Sequence, residues 1–156
     1  MNTWIERPAI EARLLFWLAA LHGVNGMMYY EVAIWSKQCP DERPCKPVSR
    51  INGTALTDFA PATFPNPKPG STNGDGSFTY PGEGGKPLGS IRLTNIADGI
   101  EDWELYNMLG RAGGISAAAD LITQLVSNET TRRDDPALLE RVRREAARRV
   151  MAMRKE

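Results

Sequence analysis

Two groups of side chains in this sequence could carry chemistry. The first is a set of acids in RLTNIADGIEDWELYNML (92–109), where Asp98, Glu101, Asp102 and Glu104 fall within seven positions. Paired carboxylates serve general acid–base catalysis and cation binding. Asp98 and Asp102 stand one helical turn apart, a spacing that could hold a metal. With no histidine beside them, the same pattern reads as a solvated helix face. The second group is MMYYEVAIW (27–35). Tyr29, Tyr30 and Glu31, with Trp35 just beyond, put aromatic faces next to a carboxylate. That combination suits a sugar, because rings stack on C–H faces and the acid accepts hydroxyl hydrogens. The plainer alternative is a pair of core aromatics beside a solvated Glu31.

Other chemistries are limited by supply. His22 is the single histidine. A multi-histidine metal centre is therefore excluded, and any Ser-His-Asp or Cys-His relay would have to run through His22. Cys39 and Cys45 cannot supply the four ligands of a structural zinc. They read either as two loop thiols or as a disulfide closing a small loop, the latter implying an oxidising compartment. The stretch GDGSFTYPGEGG (74–85) contains neither phosphate-binding glycine signature, so no phosphate cradle is expected. Asp75 and Tyr80 in that stretch could project into a site above a strand, or the stretch could be two plain turns. No cofactor and no metal are expected.

Composition narrows the partners. The chain has 156 residues, 42% hydrophobic and 24% charged, enough for one domain with a core. Nineteen basic residues balance nineteen acidic ones, so no global field draws nucleic acid or anionic lipid. The final segment, RVRREAARRVMAMRK (141–155), is locally basic. Leu138 or Leu139, Val142, Ala146, Val150 and Met153 form an apolar stripe along it, which reads as a surface helix docked by that stripe. Holding an acidic partner or nucleic acid is the alternative, and the absence of interleaved aromatics counts against nucleic acid. The apolar run LLFWLAAL (14–21) is too short to span a bilayer. The N-terminus lacks the basic region and cleavage site of a secretory signal. Two glycosylation sequons, at Asn52 and Asn128, are compatible with secretion, and the compartment stays open.

The elements that would position these residues follow from periodicity. Pro8 opens a helix whose apolar positions are Ile10, Leu14, Trp17, Leu18 and Leu21, and His22-Gly23 closes it. The run Met27–Val32 reads as a short strand covered on both faces, as in a parallel sheet. Residues 36–76 read as a long loop. Ser77–Tyr80 is a second strand, stopped by Pro81-Gly82. From about Ile91 the helical period returns, with Leu93, Ile96, Ile100, Trp103 and Asn107 on one face and Asp98, Glu101 and Asp102 opposite. Further helices are expected at Ser116–Val126 and Pro136–Met153, the last capped by Asp134-Asp135. Strands alternating with helices argue for an α/β fold with parallel pairing. Two strands alone do not make a stable sheet. Either other sequence completes the sheet, or the chain is mostly helical with a weak β element.

Three stretches together resemble a known family. ARLLFWLAALHGVNGMMYYEVAIW (12–35), GDGSFTYPG (74–82) and SIRLTNIADGIEDWELYNML (90–109) are similar to the last part of the catalytic domain of glycoside hydrolase family 123. The resemblance covers most of residues 8–110. It implies the C-terminal portion of a (β/α)8 TIM-like barrel, incomplete, with extra C-terminal helices. Residues 1–115 would be the barrel part and 116–156 helices packed on it. A whole barrel runs to about 250 residues, so this chain would hold about the last quarter to third of the strands. Met27–Val32 would be about the seventh strand and Ser77–Tyr80 the eighth. The family implies substrate-assisted hydrolysis of terminal β-linked N-acetylgalactosamine, with an adjacent Asp-Glu pair on an earlier strand. Glu101-Asp102 matches the helix motif after the last strand, not that pair. The implied sugar wall is Tyr29, Tyr30, Glu31, Trp35, Asp75, Tyr80 and Arg92, with Tyr30 where the family usually carries tryptophan. A carbohydrate is then the expected partner, with no nucleic acid and no membrane, and the chain would need the missing N-terminal barrel part to be active. The alternative is a non-catalytic helical module holding a partner through the basic last helix, with Arg143 and Arg148 as the residues to reverse.

Overall fold

The computed structural model describes residues 1–29, 32–33, 74, 77–82 and 86–153, together with the backbone of 37–38, 46–47, 50–51 and 54–55. The chain divides into two compact units. One comprises Met1–Asn2, Pro8–Met27 and Asn95–Glu156, and the other Thr3–Arg7 and Met28–Thr94.

The first unit is helical. It holds α1 (Ile10–Leu21), most of α2 (Ile91–Gly113), α3 (Ile115–Ile122) and α4 (Pro136–Met153). Their ends follow from local chemistry. At the start of α1 the carbonyl of Pro8 accepts the Glu11 N–H, and a proline here forfeits no helical bond. At its end Gly23 N–H donates to Ala20 and Val24 N–H to Ala19, a Schellman closure that needs the φ of +64° at Gly23. Before α4, Asp135 Oδ1 accepts the Leu138 N–H at 2.9 Å, and Pro136 takes the first helical position. The exposed turn before it is held by Asn128, whose Oδ1 accepts the N–H groups of Thr130 and Thr131.

The core of this unit joins Leu14, Trp17 and Leu18 of α1 to Tyr106 and Leu109 of α2, Leu121 and Ile122 of α3, and the stripe Leu139, Val142, Ala146 and Val150 of α4. The α4 stripe is as expected. The α2 faces are not. Ile100, expected on the apolar face, is 48% exposed. The buried positions are Arg92 in the first turn and then Gly99, Asp102, Tyr106 and Leu109, which recur at spacings of three and four. The expectation of a solvated acidic face is therefore corrected at Asp102, which is fully buried. Its charge can be inside because cationic and N–H donors surround it. Gly99 lies on the same stripe for a steric reason. A Cβ there would sit 2.5 Å from Phe16 Cδ2 and 3.1 Å from the Arg13 carbonyl oxygen, so the close approach of α1 to α2 leaves no room for that atom.

Among its described residues the second unit carries three two-stranded antiparallel ladders. Within the expected 36–76 loop, β1 (Lys37–Gln38) pairs with β2 (Lys46–Pro47), and β3 (Arg50–Ile51) with β4 (Thr54–Ala55). β5 (Thr79–Pro81) pairs with β6 (Pro87–Gly89), with Tyr80 opposite Leu88. The expected parallel pairing is thus replaced, among the described residues, by antiparallel ladders. Short links of this kind join antiparallel strands, whereas parallel ones need a crossover of a dozen residues or more. Ser77 does not open β5. It makes an isolated antiparallel bridge with Ala33. The expected strand Met27–Val32 is corrected at its described residues: Met27–Tyr29 and Val32 belong to no strand, and Met28 is 96% exposed rather than covered, while Tyr30 and Glu31 lie outside the described residues. Cys39, Cys45 and Asn52 lie outside the described residues. No described helix is long and apolar enough to cross a membrane. The described chain is helix-rich with small antiparallel sheets.

Candidate functional site

Strand β5 and the first turn of α2 build an aromatic–cationic cluster within the second unit. Phe78 lies just before β5 and Tyr80 within it. Both flank Arg92, whose guanidinium carbon lies 5.9 Å from the Phe78 ring centre and 6.0 Å from that of Tyr80. Tyr29 stacks on Phe78 with ring centres 4.4 Å apart and an interplanar angle of 25°. The segments carrying Tyr29 and Phe78 are tied by the Val32 carbonyl, which accepts from Phe78 N–H at 2.8 Å and from the Thr79 hydroxyl at 3.3 Å.

Arg92 is 5% exposed, and its donors go to backbone. Nη1 donates to the carbonyls of Thr3 at 2.9 Å and Gly74 at 2.8 Å, and Nη2 donates to that of Ser77. The first glycine of GDG is thereby explained. Gly74 has φ of +70°, and a Cβ on it would lie 2.7 Å from Arg92 Nη1 and 2.6 Å from Ile5. Ser90 starts α2 by accepting the Leu93 N–H on its hydroxyl, which aims Arg92 from the first turn. Arg92 thus positions the β5 approach, and Tyr29 and Tyr80 are the half-buried members that retain surface. Rings so held can stack on the apolar face of a sugar, and phenols can exchange hydrogen bonds with its hydroxyls.

Of the expected wall, the structure brings Tyr29, Tyr80 and Arg92 together. Tyr30, Glu31, Trp35 and Asp75 lie outside the described residues. Sequence reasoning missed Phe78, which is 4% exposed and links Tyr29 to Arg92. Its i, i+2 relation to Tyr80 was the available signal. His22 caps α1 at an exposed position beside a cleft of about 560 Å³. Among the described residues no serine, cysteine or carboxylate lines that cleft, so they offer no nucleophile–base pair there. Among the described residues no cluster of His, Cys, Asp and Glu could hold a metal.

The acids of α2 form a second cluster, in the first unit. Asp102 Oδ2 accepts from Arg13 Nε at 2.6 Å and Trp17 Nε1 at 2.8 Å. Its Oδ1 accepts from Arg143 Nε at 2.6 Å and Arg13 Nη2 at 3.2 Å. Arg13 also meets Asp98 at 3.5 Å and Glu140 at 3.2 Å, and Arg143 meets Glu101 at 3.3 Å. Burial pulls the Arg13 pKa down, but hydrogen bonding to Asp102 and the charges of Asp102, Asp98 and Glu140 more than offset it, leaving it raised. These carboxylates join α1, α2 and α4 and are occupied by arginines, so they serve the structure.

Residues 1–109 match the family model described as "Glycoside hydrolase 123, catalytic domain". The chain belongs to the glycoside hydrolase 123 family. A comparison with curated proteins finds no match. In this family-123 chain the matched stretch contains α1, the β5–β6 hairpin and α2 as far as Leu109. Its motif SIRL…DGIEDW resolves into structural duties: Ser90 caps, Arg92 staples backbone, Gly99 admits a neighbouring helix and Asp102 collects arginines. Helices α3 and α4 lie beyond the matched residues.

Proposed function

We propose that this chain is the C-terminal part of a (β/α)8 barrel that hydrolyses terminal β-linked N-acetylgalactosamine by the substrate-assisted route, and that it is inert by itself. It would contribute one wall of the sugar site, with Tyr29, Tyr30, Glu31, Trp35, Asp75 and Tyr80 facing the ligand and Arg92 holding that wall in place.

The observation that carries this reading is uncovered apolar surface where a barrel strand would be enclosed. Met28 is 96% exposed, and Val24, Met27 and Val32 are each close to half exposed. Ile91 and Ile100 of α2 also face outward. An inner barrel strand has both faces covered, and the helix that follows lays its apolar side on the sheet. Further strands and their helices would cover these groups. Residues 1–109 match the family's catalytic-domain model, which supports the glycoside hydrolase part of this reading. The one adjacent Asp-Glu in the chain, Asp41-Glu42, falls in the Pro-rich run between Cys39 and Cys45, in the link of the antiparallel β1–β2 pair rather than at the end of a parallel barrel strand. It therefore does not fit the role of orienting carboxylate and general acid.

The test is hydrolysis of a chromogenic β-N-acetylgalactosaminide. The purified chain alone should release no nitrophenol. Co-expression with a polypeptide carrying the preceding βα units of a family member should restore turnover, and Tyr80→Ala should then raise KM. Robust turnover by the chain alone would overturn the reading and redirect attention to Asp41 and Glu42.

A further inference from the structure

The arginines of α4 do not act together. Arg143 turns toward α2, where Asp102 and Glu101 hold it. Arg141, Arg144 and Arg148 are exposed and line a different surface, a groove of about 450 Å³ between α3 and α4. Arg149 completes its wall, and Leu121, Leu138 and Val142 form its floor. Four guanidiniums thus face one carboxylate, Glu145, which pairs with Arg149 at 3.0 Å and Arg148 at 3.4 Å. Arg141 and Arg144 have no ion pair among the described residues. Hydrogen bonding to Arg149, and then to Arg148, holds the Glu145 carboxyl below its ordinary pKa, as a positive local field should. The whole chain is neutral, so this surplus of cations is local.

We propose that the α3–α4 groove is a docking site for an acidic peptide segment, an activity separate from hydrolysis and carried by helices beyond the family match. Charge complementarity selects the sign of the partner. Arg141, Arg144 and Arg148 follow i, i+3, i+7 spacing, so they form a row about 10 Å long on one side of the helix. Carboxylates one turn apart on a helical partner match that row, and guanidinium–carboxylate pairs can be bidentate. The aliphatic floor suits peptide side chains. Among the described residues no aromatic lines the groove, so bases have none of them to stack on. The apolar stripe of α4 is already buried in the core, so the helix cannot lay that stripe into a bilayer.

The experiment is fluorescence anisotropy of the full chain with a labelled helical peptide bearing glutamates at i, i+3 and i+7 and leucines beside them. Its lysine counterpart, a single-stranded RNA and phosphatidylserine vesicles are run in parallel. The proposal expects saturable binding of the acidic peptide that weakens at least tenfold between 50 and 300 mM salt. Arg141→Glu with Arg144→Glu should weaken it at least tenfold with an unchanged thermal melt, and the milder Arg144→Gln should weaken it about threefold. No binding at 100 μM peptide overturns the proposal, as does equal binding of the lysine peptide. Tighter binding of RNA or vesicles overturns it in favour of those partners. None of these outcomes bears on the sugar reading, because neither Arg141 nor Arg144 lies in the matched residues.

Discussion

Arg13 and Asp102, 89 residues apart, meet in a two-pronged ion pair in which Arg13 Nε lies 2.6 Å from Asp102 Oδ2 and Nη2 lies 3.2 Å from Oδ1. The pair fixes α1 against α2, and Arg143 adds α4 to the same carboxylate. Removing one partner of a buried pair strands the other. Asp102→Asn should therefore cost about 3 kcal/mol in denaturant unfolding. Arg13→Met placed on that background should cost far less than it does alone, because the two changes remove one interaction. Additive losses would mean that the pair does not act as a unit.

Gly99 offers a second test of the same helix contact. Alanine is the better helix former and on propensity alone would stabilise α2 by about 0.8–1.0 kcal/mol. Its Cβ, however, would press on the Phe16 ring and the Arg13 carbonyl. The clash should prevail, so Gly99→Ala should destabilise by about 1–3 kcal/mol. Gly99→Ala combined with Phe16→Leu should recover part of the loss. A more stable single variant would show that the helices separate freely.

How far this was legible in the sequence depends on what each residue had to satisfy. Helix ends were readable because their chemistry is local: His22-Gly23 and Asp135 each act within four residues. The α4 stripe was readable because its apolar residues face the core in the ordinary way. The α2 stripe was not. Arg92 and Asp102 look like surface residues, and their burial depends on carbonyls and arginines supplied from 15 to 89 positions away. The family motif marked these positions as special without giving the reason. At the candidate site, Phe78 joins Tyr29 to Arg92 through contacts between segments far apart in the chain, which a short strand signal does not display. The pairing direction was misjudged because alternation of strands and helices says nothing about the short hairpin from β5 to β6.

Arg92 should act on the β5 approach and not on the helices. Lysine keeps the charge but offers a single nitrogen, which cannot reach the Thr3, Gly74 and Ser77 carbonyls together. In Arg92→Lys the Phe78 amide should exchange with deuterium at least tenfold faster. Amides in the middle of α4 should be unaffected. Unchanged protection at Phe78 would mean that the guanidinium is dispensable to the backbone there.

Tyr106 carries the opposite kind of burden. Its hydroxyl is buried with no hydrogen-bond partner among the described residues. Such a group costs about 1–3 kcal/mol of lost hydration, so Tyr106→Phe should be neutral or stabilising at pH 8. Burial first, and the negative charge of Asp102 second, push the phenol pKa upward from its ordinary 10.0, against the opposing charges of Arg13 and Arg143. A raised folded pKa means that the unfolded chain loses this proton first. The contribution is then whole below pH 10.0 and disappears as pH climbs above it. Each pH unit in that range should remove up to about 1.4 kcal/mol from the native chain through this residue. Urea midpoints measured between pH 8 and 11 should therefore fall more steeply for the native chain than for Tyr106→Phe, and parallel curves would show that the phenol ionises as readily folded as unfolded.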